Sequence, residues 1–182
     1  MGEVYDPYFD RTPLHFSGHV NAASQPTPTR FAAGVSHGGI TWLAHPIFSC
    51  YHKAGAVAML EIAEKAIRAA LGGPRLVTTA LPRAGRVTVR HQAGHNRDVV
   101  HLLHATPALR GNLRGSNIQP IQDLITLTDI AVDLAASGPV NAVRLVPEGA
   151  VIAHKVTGDR IRFTVPSVRG HQMLEVSYGE RS

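Results

Sequence analysis

Hydrophobic and polar positions give this chain three distinct textures. Residues 1–30 show no period; Pro7, Pro13, Gly18, Pro26 and Pro28, with Asn21, Ser24 and Thr27 among them, predict an extended loop. An ordered loop of that length is unusual at the start of a domain, so it is expected either to be disordered or to pack on something outside this chain. Residues 31–35 and 39–44 read as two short strands around the turn Ser36-His37-Gly38-Gly39. Ile40, Trp42 and Ala44 alternate with Thr41 and Leu43, so both faces are largely apolar, as in a sheet covered by helices. A helix is predicted over 53–71. Leu60, Ala63, Ile67 and Ala70 or Leu71 mark its apolar stripe, widened by Met59, Ile62 and Ala66. Glu61–Lys65 and Glu64–Arg68 pair along its polar face, and Gly72-Gly73-Pro74 ends it.

Beyond Pro82 the period changes to two. Alternating runs appear at 86–92, 98–105, 124–134, 140–147, 151–156, 160–165 and 171–178. Turn residues separate them, among them Ser137-Gly138-Pro139, Pro147-Glu148-Gly149 and the hairpin signal Thr157-Gly158-Asp159. About seven strands with turns every 8–12 residues predict an antiparallel β-sandwich. The expected organisation is an α/β domain over 1–80 followed by an all-β domain over 81–182.

Composition narrows the function. A hydrophobic share of 44% against 17% charged residues is that of a folded globular chain rather than a disordered one. The net charge of +5 invites a polyanion, but the arginines are spread singly between Arg83 and Arg181, with no run and no interleaved aromatics. No nucleic-acid partner is therefore expected. Cys50 is the single cysteine, which excludes an intrachain disulfide and favours a reducing compartment. Glu3, Tyr5 and Asp6 stand where a signal peptide would be basic, and no apolar run reaches the ~20 residues of a membrane helix. A cytoplasmic protein without a membrane partner is the expectation.

The chemistry-bearing residues form no evident catalytic machine. Glycosidic cleavage usually needs two carboxyl groups flanking one bond. No acidic residue occurs between Arg11 and Leu60; Glu61 and Glu64 sit on the wet helix face, and Asp123, Asp129 and Asp133 share the parity of a solvated sheet face. Cys50, between a strand and a helix, would suit an amidotransferase-like nucleophile with a nearby histidine, but it lacks the tight glycine turn that exposes one. Among the eleven histidines, His15 and His19 flank Gly18, and His101 and His104 would face opposite sides of a strand, so no metal site is expected. Gly34, Gly38 and Gly39 fit no nucleotide-binding fingerprint, and no cofactor is expected.

The run Tyr8-Phe9-Asp10-Arg11-Thr12 with His15-Phe16 and His19 resembles a segment of bacterial β-galactosidase-like glycoside hydrolases. So do 40–48 with Tyr51, the strand 96–103, and Phe163-Thr164-Val165-Pro166 followed by Gly170-His171. The resemblance implies an order of TIM barrel, flavodoxin-like domain and β-sandwich. The flavodoxin-like domain is similar to the glutamine-amidotransferase fold and to β-galactosidase trimerisation domains. By resemblance this chain holds the end of the flavodoxin-like domain and all of the sandwich, without the barrel that carries the catalytic carboxylates. It implies a non-catalytic accessory and oligomerisation region, partnered by the barrel or a neighbouring subunit in a homo-oligomer. Arg11, His15 and His19 would then line a sugar site completed by that partner. The alternatives are a free-standing carbohydrate-binding module and a cysteine-dependent amidotransferase-like enzyme.

Overall fold

The computed structural model describes residues 2–7, 23–106, 110–113, 116–118, 121 and 123–179. They form two compact units, Met1–Pro74 and Arg75–Ser182. In the first, β1 (Gly34–His37) and β2 (Ile40–Leu43) form a hairpin with His37 opposite Ile40. Gly38 and Gly39 fill its two-residue turn with φ of 55° and 79°, left-handed values that favour glycine. The ends of the N-terminal loop run antiparallel, with bridges Glu3–Ala32 and Pro7–Ser24.

The helix predicted over 53–71 is two helices, α1 (Ile47–Ala54) and α2 (Val57–Leu71). Gly55 divides them: at φ 64° it caps α1, its N–H donating to the carbonyl of Tyr51. The burial of α2 also differs from the predicted stripe. Ala63 and Ala66 are inside, while Ile67 and Leu71 are 50% and 64% exposed. Among the described residues of this unit the sheet is this one antiparallel pair.

The second unit is an antiparallel β-sandwich. Its strands are β3 (Val77–Thr79), β4 (Arg86–Gln92), β5 (Arg97–Leu103), β8 (Thr126–Ala135), β9 (Val140–Val146), β10 (Val151–Ile152), β11 (His154–Thr157), β12 (Arg160–Arg169) and β13 (His171–Tyr178). Between β5 and β8, β6 (Arg110–Leu113) and β7 (Ser116–Ile118) make a separate hairpin. One sheet runs β10-β9-β13-β5-β4 and the other β11-β12-β8-β3. Val77–Thr79 pairs with β8, which is why the sandwich unit begins at Arg75 rather than at 81.

Alternation puts one side of each strand inside. Val100 and Leu102 on β5 and Leu174 and Val176 on β13 meet Ile130, Val132 and Leu134 on β8 and Ile161, Phe163 and Val165 on β12. In β12 the inward parity shifts after Pro166, so that Val168 is the next buried residue. Pro166 and Asp129 are missing from the β12–β8 register, and Asp129 has φ of 56°. That local distortion lets β12 continue to Arg169, past the 165 that the sequence predicts.

Among the described residues, Asp98 is the most deeply buried charged group of the sandwich. The Asp98 carboxyl, 1% exposed, accepts from His91 Nδ1 at 2.7 Å, the Tyr178 hydroxyl at 2.5 Å and Ser137 Oγ at 3.0 Å. These donors come from β4, β13 and the β8–β9 turn, so a single side chain ties three segments together. Asn96 fastens the same end, its side chain donating to the carbonyls of Tyr178 and Gly179.

Truncating Leu174 to Ala removes a fully buried side chain and is expected to cost about 2–5 kcal/mol by urea denaturation. Burial, then the hydrogen bond to Asp98, pushes the Tyr178 phenol up to about 12 from 10.0. A group whose folded pKa is raised contributes stability below its unfolded pKa and loses it as pH climbs through the folded one. The urea midpoint is therefore expected to fall between pH 10.0 and about 12, and Tyr178→Phe to flatten that fall.

Candidate functional site

Arg11, His15 and His19 lie outside the described residues, so the sugar-lining loop has no geometry here. Cys50 sits in α1, half-buried, with its N–H donating to the Pro46 carbonyl and no side-chain partner among the described residues. The clustered histidines separate. His91 joins Asp98, and His101 faces outward and stacks on His171 with ring centroids 5.3 Å apart. His104 is buried beyond the end of β5 with Nδ1 unpartnered. Among the described residues, no three or more histidine, cysteine or carboxylate groups converge.

Three carboxyl groups of the sandwich are engaged. Asp98 holds its three donors, Glu175 accepts from Arg97 at 2.5 Å, and Asp133 accepts from both Arg160 and Arg162, the latter at 2.8 Å. The two guanidinium groups hold the Asp133 carboxyl below its ordinary 3.8. A carboxyl held down in this way, as that of Asp133 is, does not suit a general acid near neutrality.

A shallow groove of about 840 Å³ opens on the outer face of the four-stranded sheet. Register explains it. Thr78, Asp133, Arg162 and Lys155 stand opposite one another across β3, β8, β12 and β11. Beside that polar row, Ala131 faces Thr164, and Ala80 and Ala153 continue the line. Small side chains leave the sheet surface bare between the strands, and the charged row borders it. Phe163 lines the groove but is 4% exposed, its ring belonging to the core.

Parity along 98–102 could have shown that Asp98 faces inward with Val100 and Leu102. The groove had no such signal, because its row joins residues from four separated segments.

Since the folded pKa of Asp133 is lowered, its contribution to stability is present above pH 3.8 and lost as pH falls below it. Between neutral pH and pH values under 3.8, the urea midpoint of Asp133→Asn is expected to fall less than that of the unaltered chain.

No protein-family model matches the chain, and no curated protein sequence matches it. Among solved structures, α-L-fucosidase isoenzyme 2 from Paenibacillus thiaminolyticus matches 97% of this chain at 33% identity and a TM-score of 0.83. A cycloisomaltooligosaccharide glucanotransferase from Paenibacillus sp. matches 66% of it at 14% identity and a TM-score of 0.41, over 21% of that chain, a likeness too distant to carry an argument. This chain spans 26% of the length of the fucosidase. The sequence and fold of this chain are thus related to one part of a glycoside hydrolase.

Proposed function

We propose that this chain is a non-catalytic accessory and assembly region of a glycoside hydrolase. Its first unit would be the closing portion of a flavodoxin-like, trimerisation-type domain, as in the β-galactosidase-like enzymes that it resembles. The observation that carries the reading is the inverted burial of the first unit. Ala63 and Ala66 are inside, while Ile40, Trp42, Ile67 and Leu71 are 74%, 59%, 50% and 64% exposed. Burying a large apolar side chain is worth about 1.5–3 kcal/mol, so such a surface is suited to being covered. The cover proposed is the catalytic barrel or a neighbouring subunit of the same protein. The loop bearing Arg11, His15 and His19 would face the sugar site that this partner completes. The likeness to a fucosidase adds α-L-fucosides to the β-galactosides as substrates of the whole protein.

Two measurements test this. The isolated chain is expected to release no nitrophenol from nitrophenyl α-L-fucoside or β-galactoside; turnover above buffer overturns the non-catalytic reading. Ile67→Ser with Leu71→Ser is expected to shift the stability of the isolated chain by less than about 1 kcal/mol, as exposed substitutions do. In a protein carrying both this region and a barrel, the same pair is expected to lower the oligomeric state seen by light scattering. Unchanged assembly there counts against the surface.

A further inference from the structure

Four of the arginines that are scattered along the sequence meet on one surface of the sandwich. On the outer face of the five-stranded sheet, Arg86 and Arg90 of β4 stand opposite Leu103 and Val99 of β5. Val99 faces Glu175 of β13, which faces Arg144 of β9. Arg97 lies on the same face but is neutralised by Glu175, the single acidic side chain that these strands direct outward. Arg86, Arg90 and Arg144 are exposed and have no carboxylate partner among the described residues. His101 and His171 add an imidazole pair to this face, Nδ1 and Nε2 being 3.1 Å apart.

Spacing sets the kind of ligand. Arg86 and Arg90 are four residues apart on one strand, about 14 Å. Arg90 and Arg144 are three strand intervals apart, again about 14 Å. No single oxyanion spans those gaps, so the array suits a polymer with repeated negative charges. Guanidinium groups match carboxylate and sulfate oxygens in a planar, two-pronged fashion. Stacking offers no alternative. Phe163 and Tyr178 are the only aromatic residues after position 80, and both are buried, at 4% and 5% exposed. Among the described residues the sandwich therefore exposes no Phe, Tyr or Trp ring for the flat faces of neutral sugars or for unstacked bases.

We infer that the outer face of the five-stranded sheet binds an acidic polysaccharide chain through Arg86, Arg90 and Arg144. The choice of a glycan over a nucleic acid rests on the relation to a glycoside hydrolase; the charge array itself does not depend on it.

The full chain is titrated calorimetrically with polygalacturonate, with its fully methyl-esterified form and with duplex DNA. Saturable binding to polygalacturonate is expected, weakening as salt rises. The ester, which keeps the sugar and loses the charge, is expected not to bind. Arg86→Gln, Arg90→Gln and Arg144→Gln together are expected to weaken binding about tenfold, with the thermal midpoint unchanged. Equal binding of acid and ester overturns the inference, as does unaltered affinity in the triple variant. DNA binding as tight as that of polygalacturonate would make the face a general polyanion surface and also overturns it. If the triple variant fails to fold, the ester and salt series on the unaltered chain still decide the matter. None of these outcomes depends on the nitrophenyl glycoside or assembly measurements.

Discussion

Everything in the sandwich depends on burying one side, and only one side, of each strand. Val100, Leu102, Leu174 and Val176 from one sheet and Val132, Leu134, Ile161 and Val165 from the other are at most 2% exposed. Because the side-chain period is two, fixing these residues inward fixes every neighbour outward. The outer surfaces are therefore consequences of the core. The small-residue groove on one sheet and the arginine array on the other are the two complements of the same packing. Asp98 is the exception that the core accommodates, since all three of its neighbouring donors point at it.

The first unit follows a different rule. Its hairpin and helices have well-formed turns and caps at Gly38-Gly39, Gly55 and Gly72, so local geometry is satisfied. Its large apolar side chains are not. On α2 the face directed inward is the alanine face, a narrow contact that leaves Ile67 and Leu71 outside. Among its described residues this unit has little core, and in the proposed reading a partner completes it. The sandwich, by contrast, has a closed core. In the proposed reading the two units divide the work: the first docks, and the second engages the glycan.

Most of the strand pattern was legible along the chain. The run 86–92 coincides with β4, and 171–178 with β13, because alternation bounded by turn residues is a local property. The helix over 53–71 was placed but not its break, since Gly55 reads as a tolerated glycine until its left-handed φ ends the hydrogen-bond ladder. β3 escaped notice because three residues carry too little alternation, and its existence depends on pairing with β8, some fifty residues away in sequence.

What the sequence determined by itself was therefore most of the sandwich strands, their turns and the second-half fold class. The tertiary structure alone decided which strands became neighbours and in which register. The scattered arginines illustrate the difference. Arg86, Arg90 and Arg144 show no clustering in the linear order. Pairing β4 with β5, β5 with β13 and β13 with β9 carries them to one face. Local preferences are set within a few residues, whereas a surface field is summed over strands that only the folded chain brings together.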